Sequence, residues 1–132
     1  MFSHIMVGTD DLNRSRQFYE AVLATLGFEG EPFEHVNETG QTRLFYLHNG
    51  GTFCISEPIN GEPASVANGN TIGFRCESGE QAKAFHDAAL ANGGVSIEEP
   101  PGFRERTAIG QMYLAYVRDP DGHKLCAMYR GS

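Results

Sequence analysis

The residues of this chain best suited to chemistry are polar side chains set into apolar runs. His4 lies inside the run Phe2–Gly8, which alternates loosely enough to be a strand. A neutral imidazole there can act as metal ligand or proton shuttle near physiological pH, or simply hydrogen-bond as a strand residue. Arg75 lies inside the run Ile72–Cys76, where alternation sets it on the side of Gly73 and opposite Phe74. If that side lines a cavity, its guanidinium can grip a carboxylate or phosphate as a planar fork; otherwise it makes a surface salt bridge. His35, Asn37 and His48 are polar groups in or beside first-half strands and are further ligand candidates. Phe45, Tyr46, Phe53, Met112, Tyr113, Tyr116 and Met128 form an aromatic and Met-rich set, mostly core, with two or three lining a pocket wall; Tyr113 is the candidate among them. Phe103, Arg104 and Arg106 fall in a polar stretch that reads as a loop able to cover a cavity, or as a charged surface loop.

Composition narrows the classes. At 132 residues, with 40% hydrophobic and 20% charged residues, the chain suits one globular domain with a real core. Ten Lys and Arg against seventeen Asp and Glu give a net charge of −7, which repels polyanions and argues against nucleic-acid binding. Cys54, Cys76 and Cys126 are widely spaced with no CxxC, as expected of small core cysteines in a reducing cytoplasm. No secretory leader pattern and no membrane-length apolar run is visible, so a cytoplasmic protein without a membrane partner is expected. GxGxxG, Walker, HExxH and GxSxG motifs are absent.

The elements that must position these residues come in two copies. His4–Gly27 reads as strand, polar turn and amphipathic helix: Asp11 is the expected N-cap, Phe18, Val22 and Leu26 the buried stripe, and Gly27 the stop. A weaker copy runs from Thr71 to Gly94, with Ile5 falling on Ile72, Phe18 on Phe85 and Gly27 on Gly94. Its helix opens on the capping box Ser78-x-x-Gln81 and buries Ala82, Phe85 and Ala89. Each helix is followed by strand signals, including the Asn49-Gly50-Gly51 hairpin turn and the Asp119-Pro120-Asp121-Gly122 turn. Pro100-Pro101-Gly102 is expected to end a strand begun at Val95. The fold class is α+β: a single domain over residues 1–132, made of a first βαβββ unit (1–57), a linker (58–70) and a second unit (71–132). Helices cover one face of each curved mixed sheet, leaving a concave cup for a ligand, a partner or its own side chains.

His4 followed by Asp11-Leu12, Ser15 and Phe18-Tyr19, with the late Asp119-Pro120-Asp121-Gly122 turn, resembles the vicinal oxygen chelate superfamily, which includes glyoxalase I, extradiol dioxygenases and the fosfomycin- and bleomycin-resistance proteins. The resemblance spans essentially the whole chain. It implies homodimers whose paired units form the cups. In metal-dependent branches it also implies one ligand on the first strand of each unit and another on the last. Those positions fall on His4, Cys54, Thr71 and Cys126, with cysteines where glyoxalase I-like members carry glutamates. His4, Cys54 and Cys126 could hold one divalent ion, zinc being the most compatible. The alternatives are two small buried cysteines in a metal-free cup, or a shifted alignment with Glu57 or His123 as donor.

Three functional readings follow. A glyoxalase- or bleomycin-resistance-like protein could handle a small molecule without a metal or with an atypical one. A metal-dependent lyase, isomerase or dioxygenase could act on a substrate with adjacent oxygens, His4 being ligand or base. A non-catalytic module could sequester an aromatic or amphipathic compound.

Overall fold

The computed structural model describes residues 1–106, 108 and 110–131, with the side chain of Arg106 outside that description. The first unit comprises β1 (Ile5–Gly8), α1 (Leu12–Ala24), β2 (Phe33–Val36), β3 (Thr42–His48) and β4 (Gly51–Ser56). The second comprises β5 (Ile72–Cys76), α2 (Gly79–Ala91), β6 (Val95–Arg106), β7 (Gly110–Arg118) and β8 (Lys124–Arg130). Each unit builds one four-stranded mixed sheet, in the orders β1-β4-β3-β2 and β5-β8-β7-β6. The first strand of each runs parallel to the last, Ile5 beside Phe53 and Ile72 beside Leu125. No helix among the described residues is long and apolar enough to cross a membrane.

Local chemistry starts and stops these elements. The Asp11 carboxylate accepts from the Arg14 N–H at 3.0 Å, and the Ser78 hydroxyl from the Gln81 N–H at 3.0 Å. Gln81 completes its cap by accepting from the Glu77 N–H, then donates to the Thr25 carbonyl at the end of α1. The β3–β4 hairpin turns on Asn49 and Gly50, both at positive φ, as a two-residue loop matching strand twist requires.

One expectation fails here. The polar stretch after Pro100-Pro101-Gly102 is no covering loop: β6 continues to Arg106, with Phe103 opposite Tyr113 and Arg104 opposite Met112. The strand passes the prolines through an irregularity between Ile97 and Gly102, with Glu98 at φ 60°. Because β6 is an edge strand, proline's missing N–H costs little there, and a bulge absorbs the shift in register.

Alternation divides each sheet into two faces. Leu44, Tyr46, Phe53 and Ile55 of the first and Ala115, Val117, Leu125 and Ala127 of the second join α1 and α2 in one core. Phe18, Tyr19, Phe53, Phe74 and Phe85 form a run of ring contacts across it, with centroids 4.6–5.4 Å apart. His86 is also buried under α2, its Nε2 2.8 Å from the Ser96 hydroxyl, where the apolar period called only for alanines and Phe85.

The Asp119–Gly122 turn ties the two units together. Asp119 Oδ1 accepts from the N–H groups of Asp121 and His123, while Oδ2 accepts from the buried Tyr19 hydroxyl of α1. Asp121 accepts from the Asp10 N–H and from Arg14, and His123 Nε2 donates to the Gly8 carbonyl at 2.7 Å. Burial, reinforced by Asp119, holds the Tyr19 phenol well above its ordinary value of 10.0.

Tyr19→Phe is expected to destabilise the fold by about 1–3 kcal/mol in urea titrations, the cost of leaving a buried acceptor short of a donor. The neutral phenol is favoured only in the folded state. Its contribution is therefore complete below pH ~10 and lost above it, as the unfolded chain releases the proton first. Urea midpoints across pH 8–11 should fall above pH ~10 in the wild type and fall less in Tyr19→Phe. A Cβ at Gly94 would meet the Ala89 carbonyl at 2.8 Å and the Arg118 carbonyl at 3.0 Å. Gly94→Ala should therefore cost roughly 1–3 kcal/mol by the same titration.

Candidate functional site

The face of each sheet turned away from the helices is where side chains remain to act. On the first sheet it carries Met6 of β1, Arg43 and Phe45 of β3, and Cys54 and Ser56 of β4, since Met6 and Phe45 are both partners of Cys54, and Arg43 is the partner of Ser56. Register adds Phe33 beside Phe45 and His35 beside Arg43. Phe33 and Leu47 are 65% and 63% exposed, so this face presents apolar surface. On the second sheet the same face holds Arg75 and Gly73 of β5 with Lys124, Cys126 and Met128 of β8. There Met112, Leu114 and Cys126 form a small buried cluster with Tyr116 and Met128 packed on it.

Cys54 and Cys126 occupy equivalent register positions, since Cys54 lies beside Met6 and Phe45, and Cys126 beside Gly73 and Tyr116. Both are buried, and desolvation pushes both thiols up. The nearby Arg43 guanidinium pulls Cys54 back in part, and Tyr116 does so for Cys126. Cys76 lies on the helix side in the main core, its thiol pushed up to about 11 by burial.

The proposed ligand set does not assemble. Among the described residues no three His, Cys, Asp or Glu side chains are grouped so as to hold a metal ion, which separates His4, Cys54 and Cys126. His4 is exposed ahead of β1 with Nδ1 2.8 Å from the Ser3 hydroxyl, and Thr71 is exposed ahead of β5. Thiols in place of carboxylates, one of them beside an arginine cation that repels a metal ion, depart from the hard oxygen donors of a glyoxalase I-like centre. The residues present do not fit a metal centre of the glyoxalase I type. His123 donates to the Gly8 carbonyl, and Glu57 accepts from the Thr42 N–H, so both shifted-alignment donors have structural partners.

The other candidates divide by face. Arg75 and His48 line one cleft of ≈ 300 Å³ between the units, with Phe28, Phe53 and Phe74 as its apolar walls. His48 Nε2 donates to the Leu26 carbonyl at 3.0 Å, which fastens the end of α1 to β3. Thr71 and Met6 share a second cleft of ≈ 520 Å³, bounded by β1 and residues 65–72. His35 is exposed on the helix-free face beside Arg43. Asn37 belongs to the β2–β3 turn, exchanging backbone bonds with Gln41 and Gly40. Tyr113 and Phe103 stack edge to face at 5.0 Å, and Tyr113 lies against Gly79 at the start of α2; they pack on the helix side of the second sheet. The Arg106 side chain lies outside the described residues.

Arg43 escaped the sequence reading. Alternation with Leu44 and Phe45 was the available signal, but the facing surface becomes known only once β3 is paired with β4.

The family model for the Glyoxalase/Bleomycin resistance protein/Dioxygenase superfamily matches residues 1–127. A glyoxalase/bleomycin resistance protein from Albidiferax ferrireducens T118 is 51% identical, with 99% of each chain covered and a TM-score of 0.85. A glyoxalase-related enzyme from Fulvimarina pelagi is 20% identical over 98% of this chain and 88% of the other, with a TM-score of 0.70. The fosfomycin resistance protein FosX from Listeria monocytogenes, complexed with Mn(II) and sulfate ion, is 21% identical over 100% of this chain and 93% of its own, with a TM-score of 0.68. These last two likenesses are of fold. No curated protein matches the chain.

All three thiols should resist alkylation in the native protein. With iodoacetamide at pH 8, mass spectrometry should show Cys54, Cys76 and Cys126 labelling at least about tenfold more slowly than in denaturant, since buried, protonated thiols are unreactive.

Proposed function

Because the chain belongs to the Glyoxalase/Bleomycin resistance protein/Dioxygenase superfamily, we propose that it is a metal-free, small-molecule-binding member that works as a homodimer in the cytoplasm. The observation that carries this reading is the helix-free face of the first sheet. It sets exposed Phe33, Leu47 and Met6 around a half-buried Arg43 and the buried Cys54 and Ser56. An apolar wall with a few fixed polar groups is the usual make-up of a ligand site. A second copy packed across the exposed apolar residues would bury them and turn an open face into an enclosed one. Three free cysteines suit a reducing compartment.

The donor chemistry favours binding without a resident ion, because the positions that could supply carboxylates hold protonated thiols and an exposed threonine. Arg75 on the second sheet and His4 ahead of β1 are then ligand-contacting groups rather than metal ligands.

Protein purified without an affinity tag should contain less than about 0.1 equivalent of Zn, Ni, Mn or Fe by elemental analysis, and added metals should not raise its melting temperature. Stoichiometric metal that disappears in His4→Ala would replace this reading with a metal-assisted lyase, isomerase or dioxygenase. Sedimentation should give a dimer, weakened in Leu47→Glu; a monomer at all concentrations would remove the dimer from the proposal.

A further inference from the structure

We propose that Arg43 is the oxyanion-recognition residue of the ligand face, so that the molecule bound there is an acid with an apolar body; this rests on the small-molecule reading above. Four observations converge on it. Arg43 Nε is buried and has no hydrogen-bonding partner among the described residues. Among the described residues Arg14, Arg16, Lys83, Arg104 and Lys124 have carboxylate partners, in a chain with seventeen Asp and Glu; Arg43, Arg75 and Arg118 do not, and Arg118 donates instead to the Gly122 carbonyl. An acidic chain that pairs these five cations yet leaves a half-buried guanidinium without a carboxylate has kept its fork for something else. A guanidinium meets a carboxylate or a phosphorus oxyacid through two parallel N–H donors, and partial burial strengthens that bond.

The internal duplication shows that the fold does not demand an arginine here. Arg43 lies beside Ser56, two positions after Cys54; Leu114 lies beside Met128, two positions after Cys126. Leu114 therefore fills the same place in the second unit, and there it completes a buried apolar cluster. In the first unit the cluster is opened and a cation set into it.

The surroundings describe the rest of the ligand. Phe45 and Phe33 stand next to Arg43 on the same face, their rings 6.2 Å apart, with Leu47 beyond them. Such a surface takes an aromatic or branched aliphatic body, whose acid group then falls on Arg43.

The test uses isotope-labelled full-length protein, with 1-naphthoate and phenylphosphonate as acids and 1-naphthamide as the neutral analogue, followed through backbone amide shifts. Expected are saturable shifts clustered at residues 43–45 and 54–56, with at least one acid binding ten-fold or more tighter than the amide. Arg43→Gln should abolish that preference, and Arg43→Lys should retain part of it. Which acid binds better distinguishes a carboxylate from a phosphorus oxyacid. Should Arg43→Gln fail to fold, Arg43→Lys and Arg75→Gln carry the comparison. If amide and acids shift the same residues with equal affinity, the ligand face stands and the acid assignment falls. Loss of the acid preference in Arg75→Gln with none in the Arg43 variants would move the role to Arg75. If no probe shifts the first-sheet face, the small-molecule reading and this inference fall together.

Discussion

The buried carboxylate of Asp119 is the point at which the two halves of this protein become one body. It closes its own turn through two backbone N–H groups and accepts the Tyr19 hydroxyl from the opposite unit with its remaining oxygen. The burial cost is real: desolvation is the largest influence on Asp119 and raises its pKa, although Tyr19 and His123 both pull it down. A buried charge that is fully hydrogen-bonded adds specificity of docking more readily than net stability. Here it links the second unit to α1 through Tyr19, and the run of rings from Phe18 to Phe85 packs beside that link. Once that docking is set, both helices and one face of each sheet are committed to a common core. The helix-free faces are left outside that core, and one cleft of ≈ 300 Å³ remains between the units.

Those other faces belong to two sheets of one topology and differ in chemistry. Cys54 and Cys126 still share a register position, and both are desolvated enough to stay protonated. Around Cys126 the second unit has closed the surface with Met112, Leu114, Tyr116 and Met128, and Lys124 is neutralised by Glu98. Around Cys54 the first unit keeps Arg43 and Ser56 with exposed aromatic surface. The shared topology gives two equivalent faces; one is packed by its own side chains, while the other holds Arg43 among apolar residues.

Much of the architecture was legible because it is written in local signals. Asp11, Ser78, Gly27 and the Asn49-Gly50 turn each act within a few residues of their own position, and the repeat of His4–Gly27 at Thr71–Gly94 reported the duplicated units directly. Where the reading failed, the deciding partner was distant in sequence. Pro100 and Pro101 look like a strand end until β6 is known to be an edge strand that can bulge around them. Tyr113 and Phe103 look like pocket aromatics until pairing turns them toward α2. Arg43 looks like an ordinary strand arginine until β4 places Cys54 and Ser56 on its face. The Asp119 turn was legible as a turn, but its hold on Tyr19 depends on a contact that spans most of the chain.

Net charge sharpens what an acid-binding face would have to overcome. A chain at −7 carries a field that disfavours anions at a distance, so steering cannot bring an acid to it. Selectivity would then have to come from contact, where a guanidinium in a partly desolvated setting acts over a few ångströms and salt screens it little. That is the setting of Arg43, with Nε shielded from solvent and apolar Phe45 and Phe33 alongside. The same negative field makes stray pairing of Arg43 with one of the chain's many carboxylates the easier outcome. Its separation from them follows from the sheet: on the first sheet's helix-free face the strand positions around Arg43 hold Phe33, His35, Phe45, Leu47, Cys54 and Ser56, none of them acidic, while Glu34 alternates to the opposite side. The period of two that divides core from helix-free face thus also keeps this cation from acidic strand neighbours.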